Sequence, residues 1–163
     1  MRRVFIFFLL FFLQLQVFSQ KLKADSLKKL LDIERIDTNR VNLMWKIANV
    51  RSIYDPENAL LLANEALSLA KRIKYKVGQS RALGIMANAY VNIGNYPRAL
   101  QCNLQRLQFE EKNNNPVNLA SVLMNIGVVY VYQEEYRNAL KYYFKSDSVI
   151  QKNNIEEYKF HIS

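Results

Sequence analysis

The stretch LGIMANAYVNIGNYPRAL, residues 83–100, returns as LMNIGVVYVYQEEYRNAL at residues 123–140. Ala87, Tyr90, Tyr96, Ala99 and Leu100 of the first copy stand where Gly127, Tyr130, Tyr136, Ala139 and Leu140 stand in the second. The offset is the same for every pair. A fixed period of that size, about 40 residues, marks one supersecondary unit copied along the chain, and such units stack into a solenoid whose usual work is to offer a surface. Leu83, Met86, Ala87 and Tyr90 recur at steps of three and four, one face of an amphipathic helix. Gly94-Asn95 ends that helix. Pro97 then sits in the first turn of a second helix, where its missing N–H costs nothing, and Ala99, Leu100, Leu104 and Leu107 continue the apolar face. Asn113-Asn114-Asn115-Pro116 breaks the second helix. The next copy follows with Leu123, Ile126, Gly127 and Tyr130 on its first helix and Tyr136, Ala139, Leu140 and Tyr143 on its second.

An earlier, more degenerate copy lies upstream. Asp55-Pro56-Glu57 is a helix start, Asp as cap and Pro at the first helical position, and Ala59 precedes Ala99 by the same offset. Ala59, Leu60, Ala63, Ala66, Leu67 and Ala70 give its second helix a small-residue stripe. Its first helix is expected over about residues 39–53, with Leu43, Ile47, Ala48 and Val50 inward and Trp45 in ordinary burial. Before it, Asp25-Ser26 is expected to open a short helix with Leu27, Leu30 and Leu31 on one side, an end cap for the stack.

On Ala87/Gly127, Tyr90/Tyr130, Tyr96/Tyr136 and Ala99/Ala139 the chain resembles the tetratricopeptide (TPR) repeat family, whose unit is a helix A, a turn and a helix B. The resemblance implies an all-α fold, a TPR-type helical-hairpin solenoid wound as a right-handed superhelix, with about three repeats and an N-terminal capping helix. Ala or Gly on helix A is expected to let helix B approach closely. The usual unit is about 34 residues, and the extra length of this one is expected in an extended helix B and the loop after it. The divisions are a cap at 20–37, a degenerate repeat at 38–77, repeats at 78–116 and 117–154, and at 155–163 the start of an incomplete fourth.

The amino terminus reads as an export signal over residues 1–19. Met1-Arg2-Arg3 is basic, Val4 to Phe18 is apolar except for Gln14 and Gln16, and Val17-Phe18-Ser19 offers a peptidase site that would leave Gln20 first. The stretch is shorter than the about 20 apolar residues of a membrane span; an uncleaved anchor is the alternative. No Cys follows it for a lipid anchor. The expected location is periplasmic or secreted.

Chemistry is sparse. Cys102 is the one cysteine, which excludes an internal disulfide and a thiolate cluster, and its place beside Leu100 and Leu104 reads as packing. His161 is the one histidine, and Lys159-Phe160-His161-Ile162 lacks the acidic neighbour of a phosphoacceptor histidine. There is no GxxxxGK, HExxH or GxSxG motif, so no catalytic residue, metal site or cofactor is expected. Without Arg2 and Arg3 the chain keeps 21 basic against 14 acidic residues, a net charge of +7. No acidic residue falls between Glu65 and Glu110, a span that holds Lys71, Arg72, Lys74, Lys76, Arg81, Arg98 and Arg106. A cluster of that kind attracts an acidic partner, although basic residues at 71–76 also suit the end of a helix. Nucleic acid is not expected, given the export signal and the lack of a basic–aromatic recognition pattern.

The family resemblance places the binding surface on the concave, helix A side. In its register that surface holds Arg81, Asn88, Val91 and Asn92 in one unit and Met124, Val128, Val131 and Tyr132 in the next. Asn88 and Asn125 match two Asn positions of members that clamp a peptide carboxylate, but Gly84 stands where the clamp has Lys, so the clamp is not carried over. The expected function is that of a non-enzymatic, exported interaction module taking a peptide or partner protein by amide hydrogen bonds and apolar contacts. The whole also resembles the exported amino-terminal repeat region of bacterial sensor histidine kinases, and the alternative is a truncated fragment of such a sensor. Membrane contact is then expected only through an uncleaved leader or a missing carboxyl-terminal region. Ala139, Leu140, Tyr143, Phe144 and Ile150 lack a following helix A, which gives an expectation of self-association through that end.

Overall fold

The structure, a computed structural model, describes residues 2–155, with side chains described at residue 14 and from residue 16 onward. His161 and the fourth-repeat segment beyond Ile155 lie outside the described residues. Seven helices account for nearly all the described residues, and none of these forms a strand: α1 (Arg2–Ile33), α2 (Asp37–Arg51), α3 (Pro56–Arg72), α4 (Lys76–Asn92), α5 (Tyr96–Asn113), α6 (Pro116–Tyr132) and α7 (Tyr136–Lys152). Helices α2, α4 and α6 are the helices A of the repeat, and α3, α5 and α7 the helices B.

The punctuation of the chain explains the helix ends. The side chains of Asp55, Asn95 and Asn115 accept the backbone N–H of Asn58, Arg98 and Asn118 at 3.4, 3.3 and 3.0 Å, and each is followed by a Pro in the first helical turn. At the ends of α3 to α7 the left-handed conformation recurs at each half-period, at Lys74 (φ 57°), Gly94 (74°), Asn114 (48°), Glu134 (61°) and Asn154 (50°), while α2 ends without it. After four of these the next amide reaches back along the ending helix: Tyr75 to Ala70 at 2.8 Å, Asn95 to Tyr90 at 2.8 Å, Glu135 to Tyr130 at 2.9 Å and Ile155 to Ile150 at 3.1 Å. That is a Schellman stop, which satisfies orphan carbonyls of the ending helix. Helices A and B are therefore equal half-units. α3, α4, α6 and α7 have 17 residues each and α5 has 18, joined by loops at 73–75, 93–95, 114–115 and 133–135. The extra length thus sits in both helices, and not in a long loop after helix B.

α1 differs from expectation. It runs unbroken through Asp25-Ser26, because no Gly or Pro precedes Pro56 and Ser26 Oγ donates to the Leu22 carbonyl at 3.0 Å from within the helix. The end-cap packing is nonetheless present: Ala24, Leu27 and Leu31 meet Ile47, Val50, Tyr54 and Leu62. Leu30, expected on that face, is 51% exposed. The α1–α2 corner is closed by charge. Arg40 Nη1 donates to the carbonyls of Leu31 at 3.2 Å and Glu34 at 3.0 Å, covering the last turn of α1. Glu34 in turn accepts the amides of Arg35 and Ile36, each at 2.9 Å. The Ile36 amide chiefly holds the Glu34 carboxyl below its ordinary range.

The chain divides into two compact units, with the boundary between Ile85 and Met86 inside α4. In the first, α2 packs on α1 and α3. Its core is rich in small residues: Ala48, Ala59, Ala63, Ala66 and Ala70 are fully buried, and Ile47, at 1% exposure, packs with Ala24, Val50 and Leu62. Leu43, expected inward, is half-buried. Gly78 opens α4 beside α2; a Cβ there would stand 2.7 Å from Val41 Cγ1 and 2.5 Å from the Tyr75 ring.

In the second unit α6 packs on α5 and α7. Here the reason for the small residue on helix A differs from the expected one. The place of a Gly127 Cβ is taken by the ring of Tyr143, whose Cε1 would be 2.5 Å away. Gly127 accommodates a side chain of helix B, and the gap it leaves is filled by an aromatic ring rather than by closer backbones. Ser146 Oγ fastens the same hairpin by donating to the Ala120 carbonyl at 2.9 Å, beside the cluster of Ala120, Ile150 and Ile155.

Candidate functional site

A residue serves a partner only if the fold leaves it outside the core, and along α6 the helical period does so. Ile126, Val129 and Leu123 turn inward, at 0, 1 and 5% exposure. Val128, Val131 and Tyr132 then come out on the opposite side at 37, 40 and 52%, with Met124 half-buried beside them. Tyr132 is held in place. Its ring stacks on that of Tyr96, at the start of α5, with centroids 5.4 Å apart and planes 12° from parallel. Tyr96 was not among the sequence candidates, although its repeat with Tyr136 marked the position. From α4 the same unit contributes Asn88 and Asn92, both exposed, and Val91, half-buried, while Arg98 lies over the Tyr90 ring at 5.9 Å. The helix A side of this unit is thus an apolar and aromatic strip with amides beside it.

Arg81, the remaining candidate, belongs to the first unit. Its Nη1 donates to Asn42 Oδ1 at 2.9 Å, and its guanidinium carbon lies 5.2 Å from the centre of the Trp45 ring. Tyr75 Oη donates to the same Asn42 oxygen at 3.3 Å. Trp45 is therefore not simply buried: it is half-buried, with one face under a cation. Sequence reasoning missed Asn42 and Trp45 as site residues. The available signal was their spacing, since Asn42 and Arg81 are 39 residues apart, almost one period, and so fall at adjacent places on successive helices A. Gly84, at the Lys position of the clamp, is buried in α4. Lys71, Arg72, Lys74 and Lys76 are all exposed.

Cys102 is 7% exposed, and burial pushes its thiol up to about 11, with Arg98 pulling the other way, so the thiolate is scarce at neutral pH. Burial, then the neighbouring Tyr142 and Glu135, raises the Tyr130 hydroxyl. Among the described residues no three His, Cys, Asp or Glu side chains stand together as metal ligands, and no helix is long and apolar enough to cross a membrane. A cleft of about 400 Å³ in the second unit is lined by residues that include Glu110, Glu111, Asn115, Leu119, Ser148 and Lys152.

No family model and no curated relative matches this chain. Among solved structures it is similar to aspartyl phosphate phosphatase F from Bacillus subtilis, at 16% identity and a TM-score of 0.75 over 86% of this chain and 40% of that one. It is also similar to a Rap protein complexed with competence and sporulation factor, at 16% identity and a TM-score of 0.76 over 85% of this chain and 40% of the other. The TPR domain of Arabidopsis FLU matches 72% of this chain with 99% of its own length, at 17% identity and a TM-score of 0.66. The chain thus spans about two fifths of the first two of these proteins. These likenesses show the fold: an all-α, TPR-like helical repeat.

Proposed function

We propose that the chain is a non-enzymatic interaction module that binds a peptide or partner protein along the helix A side. The observation that carries this is the outward strip of Val128, Val131 and the stacked Tyr96–Tyr132 pair, apolar and ordered yet left outside the core. An exposed aromatic held rigid before binding loses little entropy when a partner covers it. Support also comes from the Rap protein complexed with competence and sporulation factor, whose fold is similar. We place the module outside the cytoplasm, with residues 1–19 removed on export, and in signalling as a sensor or scaffold region, on the sequence signals alone. Self-association through a different face, on the last helix B, is a second reading. It is supported by Tyr136, Leu140 and Phe144, a stripe along α7 that is 60, 54 and 69% exposed.

The test is a display selection of random peptides on the full chain. Tyr132→Ser is expected to lower the thermal midpoint by only a few degrees, the loss of the stack on Tyr96, and to weaken the selected peptides by about tenfold, the loss of one aromatic anchor. Peptides that bind the Tyr132→Ser and Val131→Ser chains as well as the parent would place the surface elsewhere.

A further inference from the structure

The first unit holds a second, polar recognition element. Arg81 is exposed, and both groups that fix it, the Asn42 amide oxygen and the Trp45 ring, are uncharged. Its positive charge is therefore positioned but not neutralised by them. The amide of Asn42 is oriented too. Arg81 Nη1 and Tyr75 Oη both donate to Oδ1, which turns the Nδ2 hydrogens the other way. What Arg81 and Asn42 have left to offer is donors alone: the remaining N–H groups of a guanidinium and an amide NH₂. A donor-only set with a net positive charge selects an anionic acceptor, and the planar guanidinium fork matches the two oxygens of a carboxylate. The stacked indole keeps the fork from collapsing onto solvent-favoured rotamers. The sequence adds long-range charge of the same sign: no acidic residue follows Glu65 in this unit, while Lys71, Arg72, Lys74 and Lys76 are exposed.

We propose that Arg81, Asn42 and Trp45 form a site for the carboxylate side chain of an Asp or Glu in a peptide partner. The proposal rests on the helix A reading above, since Asn42 and Trp45 are on α2 and Arg81 is on α4, both helices A. Gly78 is part of the device. Its missing Cβ lets the start of α4 lie against Val41, next to Asn42, and so brings the two halves of the site together.

Trp45 is the one tryptophan of the chain, so its emission reports on the cation above it. The full chain is titrated with acetylated, amidated hexaglutamate, and in parallel with the capped hexaglutamine, with hexaglutamine bearing a free carboxyl terminus, and with inorganic phosphate. Hexaglutamate is expected to give a saturable change in Trp45 emission that weakens with salt, and capped hexaglutamine none. Arg81→Gln is expected to raise the half-saturation point about tenfold or more, the usual scale for losing a charged hydrogen-bonding partner. Arg81→Lys, which keeps the charge without the fork, falls between, and Asn42→Ala costs less than Arg81→Gln. An unchanged thermal midpoint shows that the variants are folded; if Arg81→Gln is not, Arg81→Lys carries the comparison. The proposal is overturned if hexaglutamate leaves the emission unchanged, if capped hexaglutamine acts equally, or if Arg81→Gln binds as well as the parent. It is also overturned if the free carboxyl terminus or phosphate alone reproduces the response at the same concentration. Loss of selected peptides in Tyr132→Ser with no effect of Arg81→Gln would leave the interaction module standing and remove the carboxylate site.

Discussion

The hairpin of α2 and α3 and the hairpin of α6 and α7 are copies of one unit, yet they carry opposite residue sizes at matching places on their two helices. Stepping by one period along helix A gives Ile47, Ala87 and Gly127; the same step along helix B gives Ala63, Asn103 and Tyr143. As the helix A residue shrinks, its counterpart on helix B grows. Ile47 and Ala63 are both buried in the first unit, and in the second the Tyr143 ring lies where a Gly127 side chain would stand. If the paired positions share one space, close packing would conserve the volume between the helices rather than the identity of the residues that fill it, which the variants below test.

The largest expected effect comes from filling the gap twice. Gly127→Leu places a side chain into the Tyr143 ring and is expected to cost about 3 kcal/mol, at the upper end of overpacking, in thermal or urea unfolding. Unchanged stability would mean that the ring swings clear at no cost and that the complementarity is accidental. A smaller effect, of opposite sign, is expected in the middle copy. Asn103 is 1% exposed and its Oδ1 has no hydrogen-bond partner, so Asn103→Leu, of similar size, is expected to stabilise by about 1 kcal/mol. A loss instead would show that the amide contributes something its shape does not. The smallest effect concerns the stops. Gly94 has φ 74° and open space about it, so Gly94→Ala is expected to cost about 1 kcal/mol through the backbone alone, whereas Glu134→Gly, at φ 61°, relieves the same strain and is expected to gain a few tenths. Equal responses at the two positions would contradict the equivalence of the stops at successive half-periods.

These stops also show what could be read from the sequence and what could not. Gly94 and the Asn113–Asn115 run carry the residue types that a left-handed turn favours, and Asp55-Pro56 and Asn115-Pro116 carry those that begin a helix. Lys74 and Glu134 occupy the same conformation without any such signature, because the Schellman bonds from Tyr75 and Glu135 impose it on whatever residue is there. The period was legible, but its division into equal halves was not. Among the site residues, the outward places of Val128, Val131 and Tyr132 followed from the register. The clustering of Arg81 with Asn42 and Trp45 needed the neighbouring helix in position, since no pattern within α4 announces a contact made to α2.

The claim that one unit is copied with compensating fillings is tested most directly by moving the first unit's pair into the last. Gly127→Ile and Tyr143→Ala, which together import the Ile47 and Ala63 arrangement, are made singly and combined. Each single change is expected to destabilise by about 3 kcal/mol, one by overpacking and the other by leaving a cavity. Combined, they are expected to cost at least about 2 kcal/mol less than their sum, because the isoleucine fills the space that the ring vacates. A double variant whose cost equals the sum to within about 0.5 kcal/mol would show that the two positions do not share one volume, and would contradict the account.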